Sequence, residues 1–386
     1  MIDRRAFLAA MAAASLLPHG AAAAQGRRVG GARIVLRDGR VWMQVRIAGS
    51  EPMTFIVDTG AVVNLIRRDV ARRLALRELR PLILRGVGGD QQFTLYEGKD
   101  VFLGNIDIGD ADFASYPGED LPIHPEAAGA LASSILTVAD SDLDFEAGEW
   151  RIYPDGRGER PGYERLPSEI RSSARRSGAP PIHVEAAIDG RTYRLQVDTG
   201  APGALLLWPE ATRRSGLWND AAPYAPTQRR GIGGVGARAR VVRAGEARIG
   251  SIAFARPLVS IGNPEDRDAR ETDGIVGLPL LEQMNLSTDV RAGRLWAKRN
   301  ARPAPPERYP LSGLWLDETG GRLVVAAVGP GSPAAEAGLA VGDEIVGTTL
   351  GALLPALGGG PGTALTLDYS RGGWSGSARM TLRPFL

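Results

Sequence analysis

The sequence predicts a mainly β protein in which one lobe occurs twice, followed by a small α+β unit. Three observations predict it. Glycine and proline are abundant, at 50 and 27 of 386 residues, as in chains with many turns. A strand–turn–strand pattern recurs with its downstream landmarks in register. A proline-rich break then isolates the last part of the chain. An apolar fraction of 44% suffices for globular cores, and the length calls for two or three domains.

The first 24 residues read as a targeting segment. Arg4-Arg5-Ala6-Phe7-Leu8 opens an Ala-rich apolar run to Leu17, followed by Pro18 and the small residues Ala21 to Ala24. That run is too short to span a bilayer and reads as a cleaved leader. Paired arginines before Phe-Leu point to twin-arginine export, with a Sec leader as the alternative. Either predicts a bacterial protein that is periplasmic or secreted. No later stretch approaches 18 consecutive apolar residues, so no integral membrane span is expected once the leader is removed.

The first lobe is read over 30–155. It contains Trp42-Met43-Gln44-Val45-Arg46-Ile47, a turn at Gly49 to Pro52, and Phe55-Ile56-Val57-Asp58-Thr59-Gly60-Ala61. A connector rich in Arg, Gly, Ser and Pro is read over 156–181 and expected to be exposed. The second lobe, 182–300, repeats the pattern with Ile182 to Ile188, a turn at Asp189-Gly190, and Leu195-Gln196-Val197-Asp198-Thr199-Gly200-Ala201. Each copy reads as a hairpin. Downstream, Arg85-Gly86-Val87-Gly88-Gly89 matches Arg230-Gly231-Ile232-Gly233-Gly234, and Leu136 to Trp150 matches Leu281 to Leu295. The offset is 140 residues at the Asp-Thr-Gly pair and 145 at both later landmarks, as duplication with one small insertion produces.

Composition excludes several chemistries. With no cysteine there is no disulfide, thiolate zinc site, iron–sulfur cluster or cysteine nucleophile. The three histidines, His19, His124 and His183, lie far apart without ligand spacing. A metal centre or a Ser-His-Asp triad is therefore hard to build, and no metal or cofactor is expected. Lys+Arg (46) and Asp+Glu (44) nearly cancel, and no dense basic run is interleaved with aromatics, so nucleic acid is not an expected partner. Gly231 to Gly236 fits G-x-G-x-x-G, but the alternating Ala237 to Val242 after it reads as a strand where a dinucleotide site needs a helix.

What remains is a pair of carboxylates. Two carboxyl groups about 3 Å apart cannot easily both ionise, so the pair keeps one proton and supplies an acid and a base together. That suits hydrolysis of a peptide bond by an activated water. Asp58 and Asp198, one per copy at equivalent strand ends, are the catalytic candidates. Gly60 and Gly200 let the two loops approach with their amides facing the carboxylates. Thr59 and Thr199 are placed to donate hydroxyl hydrogen bonds across the interface. One chain would thus hold a complete pair as a monomer.

Val57-Asp58-Thr59-Gly60-Ala61, Val197-Asp198-Thr199-Gly200-Ala201 and Asp273-Gly274-Ile275-Val276-Gly277-Leu278 together resemble the retropepsin-like aspartic proteases, in a duplicated, pepsin-like single-chain form. The resemblance spans roughly residues 30–300 and implies two β lobes related by a pseudo-twofold axis, forming a bilobal acid-protease body. It also implies two flaps over the substrate, at Gly86, Val87, Gly88 and Gly89 and at Gly231, Ile232, Gly233 and Gly234. The first copy departs from the pattern: its string is Ala128-Gly129-Ala130-Leu131-Ala132-Ser133, with Ala132 where the second copy has Gly277. Neither flap has the nearby upstream Tyr of pepsin.

After a Pro-rich linker at 301–310, residues 311–386 read as short strands with one or two helices. Ser332-Pro333-Ala334-Ala335-Glu336-Ala337-Gly338 is a short helix with a Ser cap, Pro at its first position and a closing Gly. A strand at Leu323 to Val328, this helix, and Val341-Gly342-Asp343-Glu344-Ile345 resemble a bacterial PDZ domain. The resemblance implies capture of an extended C-terminal peptide at a sheet edge, with Gly313, Leu314 and Trp315 at the carboxylate loop. A groove helix at Leu350 to Leu357 is expected to be interrupted by Pro355. The function expected is an exported endopeptidase acting on polypeptide. The alternative is a catalytically silent peptide-binding scaffold on the same body.

Overall fold

A computed structural model describes residues 30–386 apart from 87, 116–123, 171–178, 180, 233 and 268–269. The leader read at 1–24, His19, most of 171–180, and the flap residues Val87 and Gly233 therefore lie outside the described residues. The protein is mainly β, with sheets of 15, 10 and 5 strands.

Each copy begins with the hairpin that its alternating apolar residues predict. Arg40–Arg46 pairs antiparallel with Met53–Val57, and Ile182–Ile188 pairs with Arg191–Asp198. Both hairpins turn on two consecutive residues at positive φ, Ala48 and Gly49 (51° and 73°) in one and Asp189 and Gly190 (48° and 78°) in the other. These are mirror-image turns whose twist matches that of the flanking strands. The later landmarks serve as turns too. Asp144 Oδ1 accepts from the Ala147 amide and Asp289 Oδ1 from the Ala292 amide, closing loops that end at Gly148 and Gly293 with the same φ of 66°.

The two copies are joined where these landmark hairpins meet. Asp140–Asp144 and Met284–Asp289 are antiparallel neighbours, with Asp142 opposite Ser287. Those two residues are equivalent under the 145-residue offset, so the pseudo-twofold axis passes between them. Arg160 fastens the join by donating to Ser287 Oγ (2.9 Å) and to the Thr288 carbonyl (2.7 Å). A continuous apolar core underlies both copies, running from Phe55, Trp150 and Ile152 to Leu195, Val276 and Leu295.

The connector differs from expectation. Within 156–181, Glu164–Arg165 pairs with the strand Arg294–Arg299, Ser168–Ile170 pairs with Ile182–Ile188, and Leu166 is buried. Its arginines explain the order: Arg157 reaches buried Asp142 (2.7 Å) and Arg160 reaches Asp140 (3.3 Å), so neutralising those carboxylates fastens the segment to the body.

The last unit has its own five-stranded sheet, from Leu314–Thr319 to Trp374–Thr381, and its own core around Leu316, Val325, Leu367 and Met380. Ser332 caps the helix Pro333–Glu336 by accepting from the Ala335 amide (3.2 Å). The helix Leu350–Leu357 continues through Pro355, against the expected break. The ring removes one donor, and the carbonyl left without it belongs to Gly351, an exposed residue with no side chain.

Trp150, 1% exposed, donates its indole N–H to the Ile135 carbonyl (3.0 Å) in the shared core. Trp150→Ala is expected to lower unfolding free energy by about 3–5 kcal/mol, read from denaturant midpoints at unchanged m.

Candidate active site

The strand Met53–Val57 ends at Asp58, and Arg191–Asp198 ends at Asp198. Each is locked from beside by a parallel strand, Gly129–Leu131 in the first lobe and Gly274–Gly277 in the second. Flanked by buried strands, the loops after them have little freedom, and they meet at the axis.

The meeting is fixed by four crossed hydrogen bonds. Thr59 Oγ1 donates to the Val197 carbonyl (2.9 Å) and accepts from the Thr199 amide (3.0 Å). Thr199 Oγ1 donates to the Val57 carbonyl (2.7 Å) and accepts from the Thr59 amide (3.1 Å). Both threonines are fully buried. Each aspartate is then oriented by its own loop: Asp58 Oδ1 accepts from the amides of Gly60 and Ala61 (both 3.1 Å), and Asp198 Oδ1 from those of Gly200 and Ala201 (2.8 and 3.1 Å).

The glycines of the tripeptides permit the contact. A Cβ on Gly60 would lie 2.3 Å from the Asp198 carboxyl carbon, and one on Gly200 would lie 2.5 Å from that of Asp58. Each carboxyl group is therefore backed by the main chain of the opposite loop, and the two carboxyl groups hydrogen-bond each other. Burial pushes both above the ordinary carboxylate range. For Asp58 the rise is opposed by the hydrogen bond from Asp198, by the Ala61 and Gly60 amides, and by Arg40. Asp198 is raised well above its ordinary value, by burial first and then by the neighbouring Asp58 charge. Two carboxyls in contact do not readily ionise together, and a pair that shares one proton sets a base beside an acid.

Ala132 in place of glycine has a local explanation. In the second lobe the Gly277 amide donates to the Ala204 carbonyl (2.9 Å), and a Cβ on Gly277 would lie 1.9 Å from the Gly203 carbonyl oxygen. In the first lobe the residue equivalent to Ala204 is Asn64, and its buried side-chain oxygen accepts from the Ala132 amide (2.9 Å). A side chain replaces a main-chain acceptor, and the Ala132 methyl is buried there. Asn64 was not singled out from the sequence, although a lone Asn in the apolar run Val62 to Ile66 is the signal that could have found it. Gln196, which donates to the Gly60 carbonyl across the axis (2.8 Å), was also missed.

Both proposed flaps are hairpins. Arg77–Gly86 pairs with Gly89–Gly98, and Ala225–Gly231 pairs with Gly234–Arg243. Their tips touch: the Gly88 amide donates to the Ile232 carbonyl (2.9 Å), and Ile232 packs on the first-lobe cluster of Leu84, Phe93 and Ile56. Arg270 donates to the Gly86 carbonyl (3.3 Å). Gly313, Leu314 and Trp315 lie elsewhere, at the start of the edge strand Leu314–Thr319. The Gly313 amide donates to the Pro310 carbonyl (3.4 Å) and the Leu314 amide to Ser312 Oγ (3.2 Å), so two donors of the proposed carboxylate loop are engaged within the chain. Among the described residues no cluster of three or more His, Cys, Asp or Glu could hold a metal ion, and no helix is long and apolar enough to cross a membrane.

Residues 43–123 match the model of a gag-polyprotein putative aspartyl protease, and residues 184–280 match a model named aspartyl protease. Each match contains one of the Asp-Thr-Gly turns, so the chain carries two aspartyl-protease-like domains in tandem, consistent with duplication. The crystal structure of basic 7S globulin from soybean is similar at 11% identity, over 69% of this chain and 94% of that one, with a TM-score of 0.40. No curated protein matches in sequence.

Thr59→Val and Thr199→Val should each orphan a buried carbonyl and a buried amide. A loss of roughly 1–3 kcal/mol for each unpaired group is expected in chemical denaturation. The aspartates give a pH signature. Their folded pKa values are raised, so their contribution to stability is full below the unfolded carboxylate value and is lost as pH rises through the folded values. Unfolding midpoints followed from acid to neutral pH should carry this fall, and Asp198→Asn should flatten it.

Proposed function

We propose that the protein is an aspartic endopeptidase that hydrolyses peptide bonds with a water activated between Asp58 and Asp198. The observation that carries the reading is the crossed Thr59–Thr199 lock, which presses the two carboxyls together with one acceptor oxygen of each already engaged by its own loop. The ionised carboxylate takes a proton from water as its oxygen attacks the carbonyl carbon, and the protonated carboxyl gives its proton to the carbonyl oxygen. On collapse of the resulting diol the C–N bond breaks. The nitrogen takes the proton from the first aspartate, a diol hydroxyl returns one to the second, and the pair again holds a single proton.

The tips of the Gly-rich hairpins would part to admit an extended polypeptide and close over it, excluding water. In this reading the enzyme acts as a monomer, because both halves of the dyad come from one chain. Export by a twin-arginine or Sec leader to the periplasm or beyond, and binding of a peptide C-terminus or a partner at the PDZ-like unit, belong to the same proposal. They rest on the leader-like residues 1–24 and on the edge strand Leu314–Thr319. The scaffold alternative draws on Ala132, whose amide is held by the Asn64 side chain in the peptidase reading.

Asp58→Asn and Asp198→Asn are each expected to abolish cleavage of an unfolded protein, by at least about 10³-fold, with the thermal transition retained. Either variant cutting at the wild-type rate would sink the assignment. A peptide carrying a statine-type tetrahedral mimic should raise the melting temperature and block turnover together.

A further inference from the structure

The duplication makes the two aspartates look interchangeable, yet one charged side chain breaks the symmetry. Arg40–Arg46 pairs with Met53–Val57 through Trp42 opposite Ile56. Continuing that register by two residues brings Arg40 opposite Asp58, and the two-residue step keeps both on the same face of the sheet. In the second lobe His183 lies opposite Gln196, and the same continuation brings Pro181 opposite Asp198. A cation therefore flanks one aspartate and an uncharged ring the other. The fold tolerates a neutral residue at this place in one lobe, so packing alone does not call for arginine.

Arg40 is half-buried, and its charge has no other obvious partner. One terminal nitrogen donates to the Gly39 carbonyl (3.0 Å), and the buried Nε has no hydrogen-bond partner. Among the described residues it makes no ion pair. The charged groups that face it are Asp58 and Asp198, from the two catalytic loops, Arg308, from the linker to the last unit, and Arg37, opposite it in the strand Gly30–Arg37 and paired with Asp38 and Glu126. At the hairpin tips Arg270 is bound to the Gly86 carbonyl and Arg85 is paired with Asp90.

We propose that Arg40 is a positioning residue that assigns the roles within the dyad, keeping the negative charge on Asp58 as the base toward water and leaving the resident proton on Asp198 as the acid toward the carbonyl oxygen. The roles rest on the peptidase reading; the placement of charge stands without it. Supporting the placement, burial raises the Asp58 pKa and Arg40 opposes that rise. A fixed cation stabilises the singly ionised pair over the neutral pair, so it lowers the acid-side ionisation and extends the working range to lower pH.

Two measurements test this. In the first, kcat/KM for a cleaved peptide is followed against pH. Arg40→Gln is expected to move the acid limb up by about half a unit to one unit, and Arg40→Lys to keep it near wild type. In the second, carboxyl ¹³C NMR titrates one aspartate at a time. Arg40→Gln should raise the pKa of Asp58 in an Asp198→Asn background more than that of Asp198 in an Asp58→Asn background. Equal shifts, no shift, or an acid limb that moves as far with Arg40→Lys would overturn the proposal. Should Arg40→Gln fail to fold, Arg40→Met keeps the stem packing and removes the charge. A wild-type protein that cleaves nothing would refute the peptidase reading, and the carboxyl titrations would still decide the role of Arg40.

Discussion

The crossed hydrogen bonds of Thr59 and Thr199 are the constraint on which the site depends. Two carboxyl groups at the end of two separate strands repel when charged and gain water when apart, so nothing intrinsic keeps them together. Four buried hydrogen bonds between main chain and hydroxyl hold the loops in contact, and glycine at the third position of each tripeptide removes the atom that would part them. Every strand around the site serves that contact: one ends at each aspartate, and a parallel neighbour fixes it laterally. At the far end, pairing of Asp142 with Ser287 places the same axis through the shared sheet.

Around this symmetric centre the two lobes have diverged. The first lobe uses the Asn64 side chain where the second uses the Ala204 main chain, and so tolerates Ala132. It presents Arg40 toward its aspartate where the second lobe continues to Pro181. Duplication supplies two equivalent carboxyls, and small differences in neighbouring residues make their surroundings unequal. That inequality is what acid–base catalysis needs from a pair of identical groups.

The last unit rests on the second-lobe hairpin. Tyr224 donates to the Val328 carbonyl (3.3 Å), Arg238 pairs with Asp317, and Arg243 holds Glu307 of the linker through two hydrogen bonds (2.7 and 2.6 Å). Arg240 adds stiffness beneath the hairpin, stacked between Trp218 and Tyr224 at 3.8 and 3.9 Å. The second-lobe hairpin is therefore anchored at its base by a neighbouring unit, and its tip reaches the first-lobe hairpin through Ile232. Partly exposed ion pairs of this kind are weak one by one. Their number along one hairpin is what fixes its position.

Much of the body was legible from sequence. The mainly β class, the repeat and the paired Asp-Thr-Gly turns all follow from short-range patterns, because alternation, turn residues and a tripeptide at a strand end are local properties of a chain. The hairpins over Gly86 to Gly89 and Gly231 to Gly234 were legible for the same reason. The connector was read as more exposed than it is, since Arg and Gly look solvent-exposed until the half-buried carboxylate of Asp140 and the buried one of Asp142 are known to await them. Pro355 was misread as a break because sequence cannot show that the carbonyl it deprives belongs to an exposed glycine. The sequence by itself determined that one chain carries two equivalent Asp-Thr-Gly turns. Only the tertiary structure decided that those turns interlock, that Asn64 holds the Ala132 amide, and that Arg40 faces the paired aspartates. Each of these depends on main-chain groups or side chains brought together by strand register and by the pseudo-twofold axis, and neither is written in local composition.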